Sequence, residues 1–271
     1  LLYRIERPRP RTAPRREMTH CGSCDSRDVA PSRPAGALRV AGITPFTTID
    51  FPGKLSAVVF VQGCPWRCAF CHNPWMQSRD FAPELEHASW EEVEQLLARR
   101  RGLLDGVVFS GGEPTIDPAL PEAVRRVRAL GFAVGLHTGG AYPARLAEIL
   151  PDIEWVGLDV KASPDAPAKF DAVTGARGAS ARFLEAFRLV RDAGVRLECR
   201  TTAHPDYLSN ADLRQLARWL EREKVENFAL QIYRRPPGLL APFGSVGDDY
   251  PSEEVRTELR GAVKQYVERR S

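Results

Sequence analysis

An alternation of short apolar runs with amphipathic stretches is the feature that most limits how this chain can fold. Six runs rich in Val, Ile, Leu and Phe, bounded by Gly or Pro, are typical of buried strands. They span residues 56–63, 105–112, 132–139, 154–162, 195–205 and 227–234. Helical patterns lie between them, at residues 89–101, 118–131, 143–150, 179–194 and 209–223. This repeated order predicts an α/β fold with a parallel sheet and helices outside it.

The ends of the helical stretches carry their own signals. Ser89 and Glu92 have the spacing of a capping box, which starts a helix. Several of the stretches end on glycine, as the carboxyl ends of helices often do. A last helix is predicted roughly over residues 252–269, where it closes the chain.

Unusual residues follow the predicted strands instead of being scattered. Three cysteines come after the first strand and GGEP after the second, while HTGG, DVK and TTAHP end the third, fourth and fifth. In parallel barrels the carboxyl rim of the strands carries the chemistry. Six units can also form an open doubly wound sheet, but this clustering favours a barrel-like curve around one shared site.

Composition and charge exclude several classes of function. The chain has 271 residues, 43% hydrophobic and 27% charged, as in ordinary soluble globular proteins. Its net charge of +3 comes from residues 1–17, so the remainder is near neutral and no nucleic-acid partner is expected. No apolar run reaches the ~20 residues that span a bilayer, and the first residues lack the apolar segment of a signal peptide. We therefore expect a cytoplasmic protein without a membrane partner.

The amino-terminal part differs from the rest of the chain. Residues 1–37 are rich in Pro and Arg, and we expect them to form a disordered leader ahead of one domain at residues 38–271. The leader reads as an upstream extension or an expression remnant. It contains a C-x2-C pair, Cys21 and Cys24, which we expect to be non-catalytic because two cysteines cannot complete a zinc site.

Three further cysteines, Cys64, Cys68 and Cys71, are spaced C-x3-C-x2-C. In a chain of this size such spacing indicates metal chemistry and not disulfides. An iron–sulfur cube usually takes four thiolates. Three thiolates leave one iron open for a ligand that is not protein, as catalytic zinc keeps one position open. A zinc half-site or three structural thiols remain as alternatives.

Counting alternate residues along the later strands assigns their faces. Asp159 and Lys161 share the face opposite to the apolar residues of the fourth strand, so an ionised pair would face the barrel interior, where each needs a partner. Arg200 and His204 share the interior face of the fifth strand. Cys199 lies on the opposite face and is predicted to be a packed core thiol.

These motifs together resemble the radical S-adenosylmethionine (SAM) superfamily, over about residues 38–235. The resemblance rests on the cysteine spacing, with an aromatic residue before the last cysteine, and on GGEP at residues 111–114. The segment TTIDFPGKLSAVVFVQGCPWRCAFCHNP at residues 47–74, with SGGEPT, LDVKA and NFALQIYR after it, resembles the glycyl-radical-enzyme activases. Within them it is most similar to the activating proteins of anaerobic ribonucleoside-triphosphate reductase.

The resemblance implies a fold, a reaction and partners. The fold would be a partial (β/α)6 TIM-type barrel with parallel strands. One [4Fe–4S] cluster on Cys64, Cys68 and Cys71 would reduce SAM bound at its open iron and yield a 5′-deoxyadenosyl radical. That radical would take hydrogen from a glycine Cα of a glycyl radical enzyme, with anaerobic ribonucleoside-triphosphate reductase as the expected partner. Flavodoxin or ferredoxin would supply the electron.

The resemblance also implies which residues contact SAM. They are Phe70 and His72 near the adenine, Gly111, Gly112 and Glu113 near the methionine amino group, Asp159 and Lys161 with Lys161 near the carboxylate, and Arg200 and His204, the latter near the ribose. A satisfied structural histidine is an equal alternative for His204, and a structural ion pair is an alternative for Asp159 and Lys161. Related activases often carry an acidic residue where this chain has His137, which puts a monovalent cation site in doubt.

Two other functions are compatible with the same motifs. One is a radical SAM enzyme that acts on a small molecule, like the 7-carboxy-7-deazaguanine synthases. The other is a non-catalytic iron–sulfur or zinc protein, for which a fourth cysteine ligand would be expected.

Overall fold

The computed structural model describes residues 33–83, 85–234 and 243–270, and the predictions for residues 1–32, with Cys21 and Cys24, lie outside this part. One sheet of eight strands follows the order of the chain. The strands are β1 (Val40–Thr47), β2 (Ser56–Val61), β3 (Gly106–Gly111), β4 (Ala133–Thr138), β5 (Trp155–Asp159), β6 (Arg196–Ala203), β7 (Asn227–Ile232) and β8 (Gln265–Arg269).

Helices connect the strands on the outside of the sheet. They are α1 (Trp90–Arg99), α2 (Leu120–Ala129), α3 (Pro143–Ile149), α4 (Pro167–Thr174), α5 (Ala179–Asp192), α6 (Asn210–Arg222) and α7 (Glu253–Gly261). The predicted capping box is present, since the Ser89 amide donates to Glu92 at 2.7 Å and the Glu92 amide donates to the Ser89 hydroxyl at 3.2 Å. Within the described residues, none of the helices combines the length and apolar character needed to cross a bilayer.

The sheet forms a barrel that does not close. Strand β1 is antiparallel to β2, whereas every pair from β2 with β3 to β7 with β8 is parallel. Residues from β3 to β7 line one cavity, so the sheet curves around it. The edge strands β1 and β8 do not pair with each other. The predicted α/β partial barrel of parallel strands is confirmed, and it has two more strands than the six predicted units.

The elements that the sequence did not predict lie mainly at the edges. Strand β1 contains Gly42 and Pro45, which interrupt its apolar pattern, and β8 has the polar sequence QYVER. The prediction of a helix over residues 252–269 is wrong in its second half, because α7 ends at Gly261 and residues 265–269 pair with β7. Gln, Glu and Arg favour helices intrinsically, but pairing with the sheet edge outweighs that preference.

Two apolar cores lie on opposite sides of the barrel wall. The larger one lies between the outer face of the sheet and the helices. The smaller one consists of Phe51, Val58, Val108 and Trp155 and lies inside the barrel, near the amino ends of the strands. The rings of Phe51 and Trp155 stack with their centroids 5.7 Å apart. The apolar side chains of this smaller core fill the barrel interior beneath the cavity.

Packing of the domain begins before β1. Ala35 and Leu38 are buried in the larger core, and the Arg33 amide donates to the Pro118 carbonyl at 3.1 Å. Residues 33–37, which the sequence prediction placed in the leader, therefore pack against the domain.

Candidate active site

A cavity of about 260 Å³ lies at the carboxyl ends of the parallel strands. It brings together nearly all of the predicted site residues. Those that line it are Cys64, Cys68, Phe70, Cys71, His72, Gly111, Gly112, Glu113, Asp159, Lys161 and Arg200. His204 does not line it. Residues from five different strands or strand ends thus face one space, as the clustering in the sequence predicted.

The three cysteines lie on a loop whose two ends are joined by backbone hydrogen bonds. The Gly63 amide donates to the Met76 carbonyl at 2.9 Å and the Cys64 amide to the Gln77 carbonyl at 3.1 Å. All three thiols are free and partly buried. Burial, with a smaller contribution from the Glu113 carboxylate, raises the pKa of the Cys64 thiol to about 12. The Cys64 thiol therefore becomes a thiolate only when a cation or cluster compensates its charge, and binding it releases a proton.

The donor set fits a cluster better than a single metal ion. The three thiols share one cavity, yet among the described residues no three His, Cys, Asp or Glu side chains surround one point as a metal ion requires. An iron–sulfur cluster takes each thiolate on a different iron, so the thiols need not converge. Cys199 is fully buried in the larger core, on the outer face of β6, and supplies no fourth ligand. Its prediction as a core thiol is confirmed.

Gly111 and Gly112 let the GGEP segment lie directly against the cysteine loop. A Cβ on Gly111, which has φ of +120°, would lie 2.4 Å from the Val61 backbone, and one on Gly112 would lie 2.2 Å from the Gly63 carbonyl oxygen. In this close contact the Glu113 amide donates to the Gly63 carbonyl at 2.8 Å. The two segments therefore form one rigid wall of the cavity.

Glu113 has a different environment from the one predicted. Its carboxylate is buried and accepts from the Thr115 hydroxyl at 2.6 Å, the Thr138 hydroxyl at 2.7 Å and the Gly139 amide at 2.9 Å. Burial raises its pKa against the effect of these hydrogen bonds. Both oxygens thus connect the end of β3 to the end of β4. A direct contact between this carboxylate and a ligand ammonium stays a prediction, while bracing of the rim is observed.

Asp159 lies between two cations inside the cavity. Lys161 Nζ is 2.9 Å from one carboxylate oxygen and Arg200 is 2.9 Å from the other. Burial alone would raise the pKa of Asp159, but Lys161 and Arg200 outweigh it and hold that pKa well below its usual value. Two cations and one anion leave the group with one excess positive charge. The cavity can therefore bind a carboxylate, the group that the sequence prediction placed near Lys161.

An aromatic layer flanks the cysteine loop. The Phe70 ring stacks on Tyr207 with centroids 4.5 Å apart, and Lys161 Nζ lies 5.6 Å from the centroid of Phe70. His72 contacts Tyr233 at 5.4 Å between centroids. Both residues predicted near an adenine therefore contact an aromatic ring beside Cys71. Aromatic surfaces of this kind favour stacking of planar rings.

His204 lies behind this layer. Its Nδ1 accepts from the Asp206 amide at 3.1 Å, and its ring is buried against Tyr207, Tyr233 and Phe243. This environment favours the structural alternative, and a contact between His204 and the ribose stays a prediction.

A family model described as the Radical SAM superfamily matches residues 58–226 of this chain. This chain belongs to the radical SAM superfamily. The match runs from β2 to the start of β7 and contains every predicted ligand and cofactor contact. It confirms the resemblance inferred from the motifs, and it confirms that the protein is an enzyme of a family that uses a [4Fe–4S] cluster and SAM.

Two curated relatives of this radical SAM enzyme resemble it over most of its length. A protein of Methanocaldococcus jannaschii named "Putative glycyl-radical enzyme activating enzyme" is 30% identical over 234 residues, 84% of this chain and 93% of that protein. The pyruvate formate-lyase-activating enzyme of Clostridium pasteurianum is 31% identical over 198 residues, 69% of this chain and 80% of that protein.

Among solved structures, Streptococcus suis SuiB bound to S-adenosylmethionine has the same fold. The TM-score is 0.59 at 14% identity, over 77% of this chain and 48% of SuiB. The chain thus spans about half the length of that protein. At this identity the likeness concerns the barrel alone.

Some residues of the cavity were missed by the analysis of the sequence. Asp50 comes from the loop between β1 and β2, and its backbone carbonyl contacts His137 Nε2 at 3.0 Å. No local pattern indicates this contact. Gln231 also lines the cavity, and the alternation of β7 could have identified it. Thr202 lines it too, on the face of β6 that the same alternation assigned to Arg200.

The acid sensitivity of the fold should depend on His137, whose ring lies edge-on to Trp155. Burial, with Arg200 nearby, lowers its pKa to about 3, against about 6.5 for an unfolded chain. Between these values the unfolded state binds more protons, so stability is complete above about pH 6.5 and is lost as the pH falls. From pH 7 to pH 5 the loss should be on the order of 2 kcal/mol.

Urea denaturation of the apoprotein at both pH values measures this effect. We expect His137→Gln to be less sensitive to pH than the wild type, while His87→Gln, a change at an exposed residue, retains the wild-type slope. Equal slopes for the wild type and His137→Gln would contradict the assignment of a neutral His137.

Proposed function

We propose that this radical SAM enzyme is a glycyl-radical-enzyme activase whose partner is anaerobic ribonucleoside-triphosphate reductase. The observation that carries the proposal is the similarity, along 84% of the chain, to a relative named as a glycyl-radical enzyme activating enzyme. The open barrel supports it. Because β1 and β8 are not paired with each other, a segment of another protein would reach the interior between these two edges.

The residues present fit the cofactors of the family. Cys64, Cys68 and Cys71 would hold the [4Fe–4S] cluster, which when bound supplies the electron that cleaves SAM into methionine and a 5′-deoxyadenosyl radical. Gly111 and Gly112 would hold the GGEP backbone against the cysteine loop, and the excess positive charge at Lys161 would bind the SAM carboxylate.

The chain's own residues also protect the reaction. The apolar core that contains Phe51 and Trp155 would keep water out of the barrel beneath the cavity. The hydrogen bonds of Glu113 hold the end of β3 next to the end of β4. A reactive radical in such a site meets few groups other than its intended substrate. A glycine loop of the partner would enter through the open side. Flavodoxin or ferredoxin would be the source of electrons.

Anaerobic reconstitution tests this function directly. The reconstituted enzyme, SAM and dithionite are mixed with the purified anaerobic reductase, and electron paramagnetic resonance is recorded. We expect a glycyl doublet on the reductase and one 5′-deoxyadenosine for each radical formed. A reductase in which the target glycine is replaced by alanine serves as the control and should show no doublet.

The outcome also separates the competing functions. Formation of 5′-deoxyadenosine with a new small-molecule product and no radical on the reductase would favour a small-molecule enzyme. A doublet on pyruvate formate-lyase but not on the reductase would retain the activase and change its partner. Absence of SAM cleavage by a fully loaded cluster would contradict both.

A further inference from the structure

A polar network lies beside the cysteine loop and takes no part in lining the cavity. It is buried except for its arginine, whose side chain is 33% exposed. It consists of Gln62, Arg79 and Asp117, which we call the loop clasp. Gln62 and Asp117 are 1% and 2% exposed, respectively. Polar groups buried to this degree are costly unless they are hydrogen-bonded, so their contacts indicate what they hold.

The Gln62 side chain forms hydrogen bonds with the carboxyl-terminal end of the cysteine loop. Its side-chain amide donates to the carbonyl of Ser78 at 2.8 Å, of Trp75 at 3.1 Å and of Asp80 at 3.3 Å. Gln62 is also the second residue before Cys64. One side chain therefore fixes the exit of the loop against its entrance.

Asp117 connects the loop with the segment that follows GGEP. One carboxylate oxygen accepts from the Arg79 guanidinium at 3.0 Å and from the Arg39 amide at 3.1 Å. The other accepts from the Ala119 amide at 2.9 Å, at the start of α2. Because the side chain of Asp117 is 1% exposed, removal of its cationic partner would leave an uncompensated buried charge.

Arg79 packs on Gly63, the residue before the first cysteine. Its guanidinium also donates to the Gln62 carbonyl. A Cβ built on Gly63 would lie 2.2 Å from the Cδ of Arg79, so the arginine side chain packs directly on this glycine. Gly63 in turn bonds with Met76 and Glu113 through its backbone. Arg79 is thus in contact with both ends of the loop and, through Asp117, with the segment that follows GGEP.

We infer that the loop clasp is a set of positioning residues that presents Cys64, Cys68 and Cys71 at the spacing of the cluster before the cluster binds. The segment that carries the three thiols contains no α-helix or strand, so its shape depends on its contacts with the rest of the fold. The Arg67 amide donates to the Thr174 carbonyl at 2.8 Å within the loop, and the clasp holds the two ends of the loop. Preorganised ligands lose less conformational freedom when the cluster binds. The inference rests on the proposed role of the three cysteines as cluster ligands.

The test measures retention of the cluster by the reconstituted holoenzyme. The Arg79→Met variant is incubated anaerobically with an iron chelator, and loss of the cluster is followed by absorbance. We expect loss at least about 10-fold faster than in the wild type, the range seen when groups that orient metal ligands are removed. Arg79→Lys should restore part of the retention, because lysine keeps the charge next to Asp117.

A second readout needs no cluster. In the apoprotein, Arg79→Met should increase the rate at which iodoacetamide alkylates Cys64, Cys68 and Cys71, without increasing that of Cys199. Gln62→Met, which removes the amide and keeps the ion pair between Arg79 and Asp117, is measured in parallel. The inference can then be judged even if Arg79→Met does not fold.

Two control variants separate positioning from general stability. Arg126→Met removes the pair of Arg126 with Glu94, 2.7 Å apart on the surface, and should retain the cluster. Val190→Ala lowers stability in the core at a residue on α5. If Val190→Ala accelerates cluster loss as much as the clasp variants do, or if these variants match the wild type, the inference is overturned. A wild type that binds no cluster would instead contradict the ligand assignment.

Discussion

Replacement of Cys64 by alanine is expected to abolish loading of the cluster and to lower the rate of SAM cleavage by more than about 100-fold. Loss of an outer partner of a metal ligand already costs about 10–100-fold, and here one of the three proposed ligands is itself removed. Iron and sulfide analysis after reconstitution, with quantification of 5′-deoxyadenosine, measures the effect. The same result is expected for Cys68→Ala and Cys71→Ala.

Cys199→Ala is the matched control for this prediction. Cys199 is fully buried in the larger core and outside the cavity, so its replacement should lower the free energy of unfolding by about 1 kcal/mol. Iron content and SAM cleavage should remain at the wild-type level. If Cys199→Ala lost the cluster while Cys64→Ala retained it, the assignment of ligands would be wrong.

Gly112→Ala is expected to lower the free energy of unfolding by about 2–3 kcal/mol and to prevent binding of SAM. The new Cβ would lie 2.2 Å from the Gly63 carbonyl oxygen and 2.9 Å from that of Met76, and both are backbone atoms that cannot move independently. The wall formed by GGEP and the cysteine loop would separate. Urea denaturation of the apoprotein and equilibrium binding of SAM to the reconstituted enzyme measure the two effects.

Gly42→Ala is the control for steric conflict. Gly42 lies on β1, and a Cβ there would have no neighbour within 4 Å. Its stability and SAM binding should match the wild type within about 0.5 kcal/mol. Normal SAM binding by Gly112→Ala would show that the GGEP segment and the cysteine loop can move apart without loss of the site.

The sequence predicted the parts of this fold that depend on neighbours along the chain. Alternation within β5 and β6 placed Asp159, Lys161 and Arg200 inside the barrel and Cys199 outside it, as observed. The edge strand β8 was missed because three of its five residues, Gln265, Glu268 and Arg269, are polar and favour helices. The strand conformation of β8 results from its pairing with β7. The local sequence pattern, which is that of a helix, gives no sign of this pairing.

The same distinction applies to Glu113. The GGEP motif indicated a carboxylate at the rim, but its role depends on Thr138, which is 25 residues away in the chain. The contact of Asp50 with His137 joins residues 87 apart, and that of Arg79 with Asp117 joins residues 38 apart. Spacing within a motif carries no information on such partners.

The sequence by itself determined the alternation of strands and helices, the loop of three cysteines, and the faces of the strands that meet at the rim. These features follow from backbone periodicity and from ligand spacing, both of which are local. Only the tertiary structure decided which polar groups pair across the barrel, which strands form its open edges, and how the cysteine loop is held. These outcomes depend on the distances between residues that only the folded chain brings together.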